Sequence, residues 1–106
     1  EADFRGERYK HFKEFDTSGR AVSLAGCYVL LSLSKPNLVI GLHKEYLLAG
    51  ADIVRTNTMC GHPLALARYR MQKSAYDLNK AAAQLAKRAT AEVTRQDKRR
   101  PRLVAG

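Results

Sequence analysis

The chain has 106 residues, with 19 Lys and Arg against 10 Asp and Glu for a formal charge of +9 at pH 7, 45% apolar residues and 27% charged ones. This length suits one small domain or a piece of a larger one, because independent domains cluster near about 100–150 residues, and the apolar content excludes an intrinsically disordered chain. No apolar run approaches the roughly 20 residues of a membrane-spanning helix, and Cys27 and Cys60, far apart with no signal-peptide pattern, indicate a reducing cytoplasmic setting rather than a disulfide scaffold.

Residues 1–20 are charged, carry Phe4, Tyr9, Phe12 and Phe15 at irregular spacing, and end in the turn formers "DTSGR", so they read as an irregular lead-in. Residues 21–33, "AVSLAGCYVLLSL", are apolar and partly β-branched, which predicts one strand with a break or bulge at Gly26. Helix signals follow. Ser34 can cap, Pro36 sits where its missing N–H is harmless, and Val39, Leu42, Tyr46 and Ala49 recur on one helical face until Gly50 supplies a left-handed stop.

The chain then switches within about two residues to a β-branched stretch, so residues 51–58 are expected to form a strand, and joints this short are typical of parallel α/β sheets. From Leu64 to Val93 the apolar positions keep helical spacing; Ser74 followed by Asp77 resembles a capping box, dividing the run into a short helix near 63–70 and a long, Ala-rich one near 75–95. After Pro101, Leu103 to Ala105 opens another strand. Strand, helix, strand, helix, strand is the order of a parallel repeat. The start at Glu1 and the stop within "RLVAG" are expected to be cut points in a longer chain.

Positive charge gathers in "RQDKRRPR" (95–102), with more in "RYRMQK" (68–73). Such a run is ordinarily a solvated helix end or linker. The alternative is a basic module that binds nucleic acid or other polyanions nonspecifically, for which interleaved aromatics would be needed and Tyr69 is the one nearby.

Four segments in register, "EADFRGERY" (1–9), "LSKPNLVIGLHKEYLLAGADIV" (33–54), "TNT" (56–58) and "RLVAG" (102–106), resemble the homocysteine-binding N-terminal module of the cobalamin-dependent methionine synthases. The resemblance covers the chain essentially end to end, densest in its first two thirds. It implies a (β/α)8 barrel of which residues 1–106 form a partial homocysteine-binding domain, about two strand–helix units with parallel strands. Reacting groups of such barrels lie at the carboxyl ends of strands, which places "RTNT" at the mouth. The implied chemistry is methyl transfer from methylcobalamin to homocysteine held as a thiolate on zinc, giving methionine; zinc suits this because it deprotonates a bound thiol near neutral pH.

The resemblance leaves Asn57 and Thr58 as the candidate substrate-binding residues, and it puts the zinc cysteines in a later part of the barrel. Zinc and cobalamin are therefore implied by the family but not expected to bind this chain alone, and the isolated chain is expected to be inactive, a fragment or diverged relative partnered by the rest of the barrel and a cobalamin domain. "CGH" (60–62) offers one Cys and one His without further ligands at zinc spacing, and reads as loop. Two departures stand out: "AGCYV" (25–29) replaces a Lys-Gly-Asn-Asn-Asp segment, and Arg55 replaces a Glu. If Arg55 faces the pocket it repels a cationic amino group; if it faces the helices it merely snorkels. His43 falls among the polar positions of its helix and is expected to face solvent.

Overall fold

The computed structural model describes residues 13–15, 21–23 and 26–106, with side chains from Gly26 onward. Within the segment read as an irregular lead-in, Lys13–Phe15 forms a strand (β1) antiparallel to Ala21–Ser23 (β2). The single strand expected over 21–33 is corrected: after β2 the chain makes a 3-10 turn at Tyr28–Leu30 and a short helix at Leu31–Ser34 (α1). An apolar run fits a buried strand and a buried helical segment equally well, and here Leu30 and Ser32 are enclosed by helical packing.

Pro36–Leu48 forms α2, with Pro36 in its first turn. Ser34 does not cap it; Lys35 holds the cap position without a side-chain bond, and the Ser34 hydroxyl is buried with no partner among the described residues. The helix ends where glycine predicts. Gly50 takes φ +123°, its N–H donates to the Leu47 carbonyl, and the Ala51 N–H donates to the Tyr46 carbonyl, the paired bonds of a left-handed C-terminal cap. Two residues later the chain is extended as β3, Ile53–Arg55.

Beyond β3, His62 caps a single helical turn at Pro63–Leu66 (α3) by accepting the Ala65 N–H at its Nδ1, 3.2 Å away. Ala75–Gln96 forms the long helix α4, and Leu103–Ala105 forms β4. Ser74 makes no capping bond, so the capping-box reading fails although the helix starts beside it. β4 pairs parallel to β3, Ile53 opposite Leu103 and Arg55 opposite Ala105. The described residues therefore form a mixed helix and strand structure with one parallel pair, joined by the helical crossover that parallel strands require.

One stripe of α4 organises the core. Leu78 packs with Cys27, Val29, Leu30, Leu66 and Met71, while Ala86, Ala89 and Val93 pack with Ile40, Leu47 and Val54. Alanines on that stripe let α2 and the sheet approach closely. The inner face of α2 is the expected one only at Val39: Val39, Ile40 and Leu47 are buried, whereas Leu42 is 46% exposed, Tyr46 is 68% exposed and Ala49 is exposed. α2 carries two apolar stripes, and beyond Val39 the one that reads most clearly in the sequence faces outward.

Part of the basic run has a structural use. Arg102 Nη1 donates to the carbonyls of Leu47 at 2.9 Å and Ala51 at 2.7 Å, and its backbone N–H donates to Thr94 Oγ1 at 3.0 Å. Arg100 Nε donates to Asp52 Oδ1 at 2.7 Å and its Nη2 donates to the Gly50 carbonyl. Two guanidiniums thus satisfy carbonyls released at the end of α2, where the helix dipole also favours positive charge. Arg95, Lys98 and Arg99 remain exposed.

Arg102→Ala is expected to lower unfolding stability by about 2 kcal/mol, because it leaves two carbonyls short of a charged donor. Lys98→Ala should stay within about 0.5 kcal/mol of the parent. Urea titration of the two variants checks the difference.

Candidate functional site

Strand alternation decides how β3 presents its side chains. Val54 is buried against α2 and α4, while Ile53 and Arg55 are exposed on the opposite face. Arg55 therefore does not snorkel beneath the helices; it lies on the open face and lines a groove of about 510 Å³ between β3 and α2. Leu31, Val39, Leu42, Tyr46 and Ile53 form most of its wall, joined by His43, Thr56 and Asn57. The outward stripe of α2 thus becomes one side of a cleft rather than bare surface.

At the carboxyl end of β3, the Thr56 N–H donates to the Ala105 carbonyl at 2.9 Å and completes the pairing with β4. Asn57 turns back over α1: its Nδ2 donates to the Tyr28 carbonyl at 3.0 Å and, at 3.4 Å, to the Ser32 hydroxyl. Its Oδ1 has no bond to a described residue. Thr58 and Thr56 share a hydrogen bond of 2.7 Å between their hydroxyls.

Asn57 and Thr58 do not line the same cavity. Asn57 borders the groove, whereas Thr58 borders a shallower hollow with Gly61, His62, Tyr76 and Asn79. That hollow is tightly built around Gly61. Asn79 Nδ2 donates to the Gly61 carbonyl at 2.8 Å, and a Cβ on Gly61 would stand 2.9 Å from Asn79 Oδ1 and 3.0 Å from the Thr58 carbonyl.

No group of three or more His, Cys, Asp or Glu side chains gathers to hold a metal ion among the described residues. Cys60 is exposed at φ 61°, and the Nδ1 of nearby His62 is committed to capping α3. This donor set does not fit a zinc site, which takes four ligands or three with an open position.

His43 corrects the solvent-facing expectation. It is half-buried in the groove wall, and its Nε2 is enclosed with no hydrogen-bond partner among the described residues. Its place four residues after Val39 and three before Tyr46 puts it on the outward stripe, a signal present in the spacing. Burial disfavours the imidazolium and lowers the His43 pKa from its ordinary 6.5. Elsewhere, the hydrogen bond from Arg100 lowers the Asp52 pKa and the hydrogen bond from Lys44 lowers that of Glu92, so those carboxylates act at more acid pH.

The sign for His43 follows from proton uptake. Its neutral form is favoured by folding, so its contribution is fully present above 6.5 and is lost as pH falls through 6.5 toward the lower folded value. Unfolding stability measured from pH 7.5 to 5.5 is expected to decline, and the decline is expected to flatten in His43→Gln. An unchanged slope in the variant would contradict the burial of the ring.

Residues 7–106 match the family defined as homocysteine S-methyltransferase. That span includes the parallel pair, the groove and the loop after β3, and so the chain belongs to the homocysteine S-methyltransferase family.

Proposed function

We propose that the chain supplies part of the wall of a (β/α)8 barrel of the cobalamin-dependent methionine synthase kind, in which homocysteine on zinc receives a methyl group from methylcobalamin. The observation that carries this reading is the β3–β4 pair within the family span: two parallel strands, helices on one face, and an open face bearing Ile53, Arg55 and Leu103. Parallel sheets ordinarily bury both faces, so an open apolar face suits a strand pair whose other side lines the inside of a closed barrel.

In this reading the carboxyl end of β3 faces substrate. Asn57, whose amide nitrogen is anchored on the Tyr28 carbonyl, keeps its amide oxygen available to an ammonium or hydroxyl donor, and Thr58 contributes a hydroxyl tied to that of Thr56. Zinc would supply the acidity that turns homocysteine into a thiolate, but its ligands and the cobalamin belong to other parts of the barrel. The chain by itself binds neither group and does not turn over.

Two titrations test the division of labour. L-Homocysteine without metal is expected to shift the amide resonances of Asn57 and Thr58 at millimolar concentration, the weak range of about −4 kcal/mol, and Asn57→Ala should abolish the shifts. Silent resonances at both residues would remove them from the site. Zinc added with homocysteine is expected to give no saturable heat by calorimetry; a one-to-one, zinc-dependent heat would contradict the assignment of the ligands elsewhere.

A further inference from the structure

The groove between β3 and α2 has a chemistry of its own. Its volume, about 510 Å³, lies within the roughly 300–1,000 Å³ of small-molecule sites. On α2 it is lined by the exposed Leu42 and Tyr46 together with the buried Val39, and on β3 by the exposed Ile53. Leaving Leu42, Tyr46 and Ile53 in water is unfavourable by about 25 cal/mol per Å² of apolar surface, so a hydrocarbon body that covers them is stabilised.

Charge selects among apolar occupants. Among the described residues, Arg55 is the permanently charged one on the lining, no Asp or Glu lines the groove, and Arg55 makes no ion pair. The chain around it carries +9. Cations are repelled from such a cleft, neutral hydrocarbons gain nothing from the guanidinium, and a carboxylate meets a planar donor fork suited to it.

We propose that this groove binds small organic anions with an apolar body, the Arg55 guanidinium receiving the carboxylate and the exposed Leu42, Tyr46 and Ile53 receiving the hydrocarbon. Asn57 stands at the Arg55 end of the groove with its amide oxygen unengaged by described residues, ready to accept a hydroxyl on the ligand or from water. Asn57 is shared with the homocysteine reading, but the inference rests on Arg55 and the exposed apolar wall rather than on Thr58 or a metal.

Decanoate, decanol and decyltrimethylammonium titrated separately into the chain at pH 7.5, below their micellar concentrations, test it by calorimetry. Decanoate is expected to bind one-to-one and about twofold to fivefold tighter than decanol, the range of a solvent-accessible ion pair, with decyltrimethylammonium weakest. Arg55→Gln should bring decanoate down to the level of decanol. Leu42→Ser, at a position already 46% exposed and so tolerant of change, should weaken both alike. Equal binding of decanoate and decanol, a preference that survives Arg55→Gln, indifference of both ligands to Leu42→Ser, or binding of neither would each overturn the proposal. Because homocysteine shifts at Asn57 and Thr58 are read separately, failure here leaves the substrate assignment standing, and the reverse.

Discussion

Parallel pairing of Ile53–Arg55 with Leu103–Ala105 is the constraint on which the rest of the structure depends. The strands are far apart in sequence, and closing so long a loop costs entropy before any contact repays it. Three devices hold the closure. The Leu103 N–H donates to the Asp52 carbonyl at one end, the Thr56 N–H donates to the Ala105 carbonyl at the other, and Arg100 and Arg102 reach back to the carbonyls at the end of α2. The same segment that begins β4 therefore also finishes α2.

Once that pair is set, the sidedness of β3 follows and the candidate site with it. Val54 enters the core beneath α4, which leaves Ile53 and Arg55 on the other face, beside the outward stripe of α2. A residue in the middle of a three-residue strand thus fixes which way a charge points. The family match over residues 7–106 covers this face and the loop that follows β3.

Much of this was legible in the residues, and the failures have common physical causes. Pro36 and Gly50 punctuate α2 and the structure places its ends beside them; Ile53–Arg55 and Leu103–Ala105 are strands within or at the predicted segments, and α4 runs over 75–96 as its period indicates. Residues 28–34 were not legible, because an unbroken apolar run has no period to separate helix from strand. α2 misled in part for the opposite reason: it has two apolar stripes, and tertiary packing decides that Ile40 and Leu47 are buried beside Val39 while Leu42 and Tyr46 stay exposed. The use of Arg100 and Arg102 as caps for a distant helix is invisible in a local reading, in which they are simply part of a basic run. Asn57 and Thr58 are adjacent in sequence yet border different cavities, since the chain bends at Asn57, where the Thr58 N–H donates to the Thr56 carbonyl, a turn that strand alternation does not foresee.

Residue-resolved amide hydrogen exchange tests the central pairing most directly. Thr56 and Leu103 donate the bonds at the two ends of the β3–β4 ladder, and the account predicts that both amides exchange slowly and, as denaturant is added, are released together with those of Ala86 and Ala89 in α4. Exchange of Leu103 and Thr56 at the unprotected rate while α4 stays protected would contradict it, for the helix would then fold without the parallel pair that gives the groove its wall.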